Sequence, residues 1–230
     1  MAKNRLAPRG TMSAAPGYVL RPVYAVDVDG TLAVWHNEFL RFSLRWLGVD
    51  RVSKTRGDHT WYDFRGGSLA QHMGVTKAVF REIKLAFRQS GLKRDMLLYQ
   101  DAAQFTKYVR AMGAELWICS TRPYLRLDNI DPDTREWLRR SRIAYDGVLY
   151  GDRKYADLRR LVGKGRVVGV LDDLPEQIEH ALALGLPGRL ICRPHNRTHH
   201  ERLPTLKGFW PAIHHLEVDL KEWKEVHNVR

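Results

Sequence analysis

Asp27 and Asp29 stand two residues apart at the end of a short apolar run, Val23-Tyr24-Ala25-Val26, and Gly30 and Thr31 follow at once. A continuous apolar, β-branched run reads as a buried parallel strand. Carboxylates just beyond such a strand lie where open α/β sheets hold their ligands. Two neighbouring buried anions repel each other and resist desolvation. A bound cation relieves both, and hard divalent ions take oxygen ligands. The local chemistry is that of a magnesium site at a strand tip. The alternative for the same residues is a helix cap or a turn. The rest of the chain separates the two.

Three more apolar runs end in polar chemistry. Leu116-Trp117-Ile118-Cys119 leads into Ser120, Thr121 and Arg122; the run at 147–151 leads into Asp152, Arg153 and Lys154; and Val167-Val168-Gly169-Val170-Leu171 leads into Asp172 and Asp173. In a parallel sheet these tips share one edge and one crevice. Acid pairs, a hydroxyl, a lysine and an arginine gathered there suit the holding and attack of a phosphate dianion. Thr121 is the alternative to Ser120, and Arg153 or Lys164 the alternative to Lys154.

The elements that must position these residues alternate. Strands are expected at 23–28, 115–120, 147–151, 167–172 and 189–193, and helices at 101–112, 132–141, 155–162 and 174–184, with Gly113 and Gly185 as helix stops. Such alternation implies a parallel sheet with crossover helices. The link from the first strand to residue 101 is about seventy residues, where an ordinary strand-to-helix link takes roughly two to six. It must carry structure of its own. Helical stripes are expected at 36–47, through Phe39, Leu40, Phe42, Trp46 and Leu47, and at 69–90, through Val79, Phe80, Ile83 and Phe87. The aromatic stretch Trp61-Tyr62-Asp63-Phe64 joins them. The glycine-rich 163–169 precedes a strand and has the wrong spacing for a dinucleotide loop.

Over residues 23–192 this order of motifs resembles the haloacid dehalogenase (HAD) superfamily of phosphatases. D-V-D-G-T and the later L-D-D carry the resemblance. It implies a Rossmann-like α/β fold, with a parallel sheet of about five strands flanked by helices. It also implies a helical C1 cap inserted after the first strand. The core would be 21–34 and 100–195, the cap 35–99, the C-terminal extension 196–230 with a helix at 212–226, and 1–20 a flexible basic tail. By the same resemblance Asp27 would be the nucleophile and Asp29 the acid–base. Ser120 and Lys154 would hold phosphate, with Gly30, Thr31, Thr121 and Arg122 lining it. Asp27, the Asp29 carbonyl, and Asp172 or Asp173 would bind Mg²⁺.

Two narrower resemblances concern the substrate. The Trp-Tyr-Asp-Phe loop and Trp117-Ile118-Cys119-Ser120-Thr121 are similar to 5′(3′)-deoxyribonucleotidases. Trp61 and Phe64 would then stack on a nucleobase, or else fill the cap's own small core. Ser120-Thr121-Arg122, Asp133-Thr134-Arg135-Glu136-Trp137-Leu138 and Gly151-Asp152-Arg153-Lys154 are similar to the phosphatase half of phage-type polynucleotide kinase-phosphatases. No P-loop accompanies them, and a large cap restricts entry of a duplex. The expected substrate is a small phosphomonoester, a (deoxy)nucleoside monophosphate. The alternative is a polynucleotide 3′ end. A third reading is a basic nucleic-acid-binding protein on the same scaffold.

Composition agrees with a globular chain of 230 residues, 44% hydrophobic and 28% charged. Lys plus Arg outnumber Asp plus Glu by 38 to 26, a net charge of +12 that favours anionic partners, nucleotides or nucleic acid. No apolar run approaches the ~20 residues of a membrane span, and residues 1–17 lack the apolar stretch of a secretory signal. Cys119 and Cys192 read as reduced thiols in strands, hence a cytoplasmic protein. His195, His199, His200, His214 and His215 form a late histidine-rich region, which reads as exposed side chains for want of a ligand pattern with cysteine; the alternative is a zinc site.

Overall fold

Alternate residues of the first strand, β1 (Val23–Val26), feed two different cores: Tyr24 and Val26 join one hydrophobic cluster, Val23 and Ala25 the other. That is the period-two geometry of a strand covered on both faces. The computed structural model that shows this describes residues 20–48, 70, 73–122 and 127–228. The aromatic stretch with Trp61 and Phe64, and the basic tail through residue 19, lie outside the described residues.

β1 sits between β2 (Glu115–Ser120) and β4 (Val167–Asp172). β3 (Gly147–Tyr150) flanks β2, while β5 (Gly188–Ile191) and β6 (Thr205–Leu206) extend the sheet beyond β4, giving the order β3-β2-β1-β4-β5-β6. Every pairing is parallel. The C-terminal ends of all strands therefore share one edge. The chain winds outward in both directions from β1, and that switch point is where open sheets form a ligand crevice.

Helices fill the connections. α1 (Trp35–Trp46), α2 (Lys77–Gln89) and α3 (Ala102–Ala111) separate β1 from β2. α4 (Ile130–Arg140), α5 (Lys154–Val162) and α6 (Pro175–Ala183) follow β2, β3 and β4 in turn, and α7 (Phe209–His227) ends the fold. α3, α4 and α7 pack on one face of the sheet, α5 and α6 on the other. α1 and α2 meet through aromatics: Trp35 stacks on Phe39 at 4.8 Å, and Phe39 meets Phe80 and Phe87 edge-on at 5.5 Å each. Their cluster is continuous with the core under α3 and α4.

The sheet has six strands, one more than expected, because the two-residue β6 is too short to leave a pattern in the sequence. β1 stops at Val26 instead of residue 28, since the chain turns at once into the Asp29–Ala33 bridge. α4 and α7 start earlier than the spacing implies, each with a proline in its first turn, where the missing N–H costs nothing. Gly113 and Gly185 do follow α3 and α6, with φ of 91° and 68°. None of the described helices is long and apolar enough to cross a membrane, and both cysteines are free thiols.

Candidate active site

Asp27 follows β1 directly, and its N–H donates to the Leu171 carbonyl at 3.0 Å, so the β1–β4 ladder runs up to the carboxylate. Lys154, the first residue of α5, is fully buried. Its ammonium lies 2.6 Å from both Asp27 Oδ1 and Asp172 Oδ2. Asp172 ends β4 and is fixed further by the Tyr155 hydroxyl, which donates to Oδ2 at 2.6 Å, and by the Leu174 N–H, which donates to Oδ1 at 2.9 Å. Burial pushes the Asp27 carboxyl well above its ordinary range; Lys154 pulls it back, and Asp172 and Asp173 push it up again. Asp172 is raised for the same reasons. Lys154 is held charged, because its two carboxylate neighbours outweigh its burial.

One ammonium therefore pairs with two buried carboxylates, and a third, Asp173, lies beside them. Asp27, Asp172 and Asp173 each offer an oxygen within 4.8 Å of the others, and Asp173 Oδ2 has no hydrogen-bond partner. Three clustered buried carboxylates with an all-oxygen donor set fit a hard divalent cation such as Mg²⁺.

Asp173 is placed by the D-x-D-G-T loop. Thr31 Oγ1 donates to Asp173 Oδ1 at 3.1 Å, so this hydroxyl faces a carboxylate of the cluster. Gly30 has φ of 96°, and a Cβ there would lie 2.1 Å from Asp173 Oδ2. Only glycine allows both the turn and the approach. Arg193, after β5, donates to the Gly30 and Thr31 carbonyls at 2.8 and 2.7 Å, with its guanidinium 3.7 Å from the Tyr99 ring centre. It staples the loop to the sheet edge.

Asp29 faces a different pair. Arg122 grips it with two nitrogens, Nε at 3.2 Å, and Lys93 donates to the same carboxylate. Arg122 also donates to Thr134 Oγ1 on α4. Burial raises the Asp29 carboxyl, but Arg122 and Lys93 outweigh it and hold the group far below the usual carboxylate range. Lys93 is almost wholly buried in the 3₁₀ turn Leu92–Arg94, and burial with Arg122 nearby brings its ammonium down to about 7 although Asp29 opposes this.

Ser120 closes β2, buried, and its Oγ accepts from the Arg122 N–H at 3.4 Å. Thr121 beside it is half-buried. Asp27, Asp29, Gly30, Thr31, Ser120, Arg122, Lys154, Asp172 and Asp173 thus converge on one edge. Lys93, Tyr155 and Arg193 belong to the same network and carry no local signal in the sequence. His195 lies near it as well: only 15% of its side chain is exposed, and its Nε2 is 2.8 Å from Asp173 Oδ2. The expectation of an exposed histidine is corrected at this position, because the turn after β5 folds back over the sheet edge. His199 and His200 are half-buried rather than exposed, whereas His214 and His215 are exposed as expected.

No protein-family model and no curated protein matches the sequence. Solved structures do match the fold. A haloacid dehalogenase-like hydrolase from Streptococcus pneumoniae superposes with TM-score 0.57 at 12% identity, covering 84% of this chain and 97% of that one. A predicted phosphoglycolate phosphatase from Haemophilus somnus 129PT gives 0.55 at 14% identity, covering 86% and 99%. A HAD family hydrolase from Deinococcus radiodurans R1, with bound phosphate and sodium, gives 0.54 at 15% identity, covering 84% and 93%. Parallel sheet, switch-point carboxylates and these superpositions agree: the chain has the fold of the haloacid dehalogenase-like hydrolases.

Proposed function

We propose that the chain is a Mg²⁺-dependent phosphomonoester hydrolase that works through an aspartyl-phosphate on Asp27, and that its substrate is a (deoxy)nucleoside monophosphate. The observation that carries this reading is the buried Lys154 ammonium, 2.6 Å from both Asp27 and Asp172 at the switch point of the sheet. Nothing about folding requires charges there, since apolar residues of similar volume are often at least as stable as a buried ion pair.

Asp27 attacks phosphorus, and the P–O bond to the leaving alcohol breaks. The departing oxygen takes its proton from Asp29. Asp29 then removes a proton from water, the hydroxide attacks the acyl-phosphate, and Asp27 leaves as carboxylate with release of inorganic phosphate. Two cations keep Asp29 ionised in the resting site, so it is poised as a base. A phosphate dianion competes for Arg122 and Lys93; with their hold on the carboxylate reduced, Asp29 takes up a proton from solvent, and this is the proton it delivers to the leaving oxygen. Ser120, with Thr121 beside it, and Lys154 hold the remaining phosphate oxygens. Asp27, the Asp29 carbonyl, and Asp172 or Asp173 would hold Mg²⁺, which would offset the charge between nucleophile and dianion.

Residues 35–99 are read as a cap over this edge, and Trp61 and Phe64 as its contacts to the base. Phosphate bound in the Deinococcus radiodurans neighbour supports the substrate class. The free thiols go with a reducing, cytoplasmic setting. A polynucleotide 3′ end is the second reading; the buried Arg122 and the net charge of +12 favour it.

The test is phosphate release from deoxynucleoside 5′- and 3′-monophosphates and from a 3′-phosphorylated oligonucleotide, with Mg²⁺ or with EDTA. Faster turnover of the monophosphates is expected. EDTA should abolish it, and Asp27→Asn should lower it by roughly 10³-fold or more. Preference for the oligonucleotide moves the protein to end repair. Binding of oligonucleotide without any release leaves a nucleic-acid-binding protein, and full activity in chelator removes the metal.

A further inference from the structure

A second cluster shares Asp173 with the carboxylates but differs from them in chemistry. His36, Asp173 and His195 each offer a ligand atom within 4.8 Å of the others. We propose that these three residues form a separate transition-metal site, a two-histidine, one-carboxylate set for a first-row ion such as Zn²⁺.

The three arrive from different parts of the fold. His36 is the second residue of α1, Asp173 follows β4, and His195 lies in the 3₁₀ turn Pro194–His199 after β5. The imidazole rings of His36 and His195 are stacked, 4.1 Å between centres and 30° from parallel. Asp173 Oδ2 and His195 Nε2 are both shielded from solvent and 2.8 Å apart, an ion pair if the imidazole is protonated but poorly aligned as a hydrogen bond, and among the described residues neither atom has a further partner. Buried polar atoms left this way call for a bound third party. The Asp173 side chain is fully buried, and Thr31 occupies its Oδ1 and leaves Oδ2 to the histidine side.

The site is also built in advance. Asn196, beside His195, donates from Nδ2 to the Asp173 and Ile191 carbonyls at 2.8 and 2.9 Å, which locks the histidine turn to the Asp173 segment. Gly30 keeps side-chain bulk away from Asp173 Oδ2. Two imidazoles and one carboxylate are a donor set for Zn²⁺, Co²⁺ or Fe²⁺, whereas Mg²⁺ prefers oxygen. The oxygen cluster and the histidine cluster therefore select different ions. Because His36 comes from α1 and the other two from the sheet edge, the ion would also pin α1 to the core.

The proposal goes beyond the phosphatase reading and does not need it. Full-length protein held in saturating Mg²⁺, which fills the oxygen cluster, is titrated with Co²⁺, whose visible bands report nitrogen ligands. One further equivalent of Co²⁺ with such bands is expected. In His195→Ala and in His36→Ala its affinity should fall by more than the roughly 10–100-fold that losing an outer partner of a metal ligand costs. Near-ultraviolet dichroism checks that each variant is folded; should His36→Ala fail, His195→Ala decides, since it changes a turn and not a packed helix. No Co²⁺ binding above Mg²⁺ overturns the site and leaves the polar atoms to a bridging water. Bands unchanged in the folded variants overturn it too, as does complete displacement of Co²⁺ by Mg²⁺, which would mean one shared ion. None of these readings uses phosphate release, so the site and the enzyme activity fail independently.

Discussion

Asp27, Lys154 and Asp172 at the strand tips, and Glu136, Arg139 and Arg140 on α4, are both triads of opposite charge with N···O distances of 2.6 to 2.8 Å. Their surroundings are opposite. Lys154 has none of its side chain exposed, whereas Arg139 has 72% and Arg140 47%. On α4 the partners stand three and four residues apart on one helix, and water screens them. At the sheet edge they come from β1, α5 and β4, and each charge has been stripped of water. An exposed ladder of this sort serves solubility. A buried one with more carboxylates than cations is costly to keep and makes sense where a cation and a phosphate are to be bound.

Removing one partner should separate the two regions most sharply. Lys154→Met leaves Asp27 and Asp172 without their shared cation in a buried site. A loss of about 3–5 kcal/mol in urea unfolding without metal is expected, together with loss of phosphate release. Mg²⁺ should restore part of the stability, because it replaces the missing positive charge, but not the activity. Unfolding equal to that of the wild type would show that the carboxylates are already protonated and that the triad is not an ion cluster.

The Asp29 pair sharpens the contrast through pH. The Lys93 ammonium falls from 10.5 to about 7 on folding, burial and Arg122 outweighing the pull of Asp29. Across that window the unfolded chain binds a proton that the native chain does not. Native stability therefore rises with pH from about 7 toward 10.5 on account of this one group. The difference in melting temperature, wild type minus Lys93→Met, should become more positive as the pH is raised through the window, other groups cancelling between the two proteins. A flat difference would mean that Lys93 keeps its ordinary proton affinity and that Asp29 fully compensates its burial.

What was legible in the sequence follows the range over which each contact forms. Asp27, Asp29, Asp172 and Asp173 sit at the ends of apolar runs, so a strand pattern alone places them on the edge of a parallel sheet. Lys154 could be read because it opens the helix after a third such run. Lys93 meets Asp29 across 64 positions, in a segment whose spacing says only that helices are inserted. Its burial is set by the packing of the turn Leu92–Arg94 against α2 and α4, and that of His195 by the turn after β5. Arg193 is spent on backbone carbonyls more than 160 positions away, a use that no local motif encodes. Thr31 was expected near the phosphate and is found on Asp173, because its direction depends on a turn centred on Gly30.

The smallest effect is expected on α4, and it is the control for all the rest. Hydrogen bonds from Arg139 and then Arg140 lower the Glu136 carboxyl from 4.5 to about 2. A carboxyl depressed on folding adds stability above its unfolded value and loses it as pH falls toward the folded one. Any contribution from Glu136 is therefore full above 4.5 and gone near 2. Because the group is only half-buried and its arginine partners are exposed, solvent and salt reduce that contribution. Glu136→Gln should shift the melting temperature by about 1 °C or less at neutral pH, with the gap to wild type closing further in acid and in high salt. Phosphate release should not change. A destabilisation approaching that of Lys154→Met would show that contact geometry, not burial, decides what an ion pair is worth in this protein, and the strand-tip triad would then need no ligand to account for it.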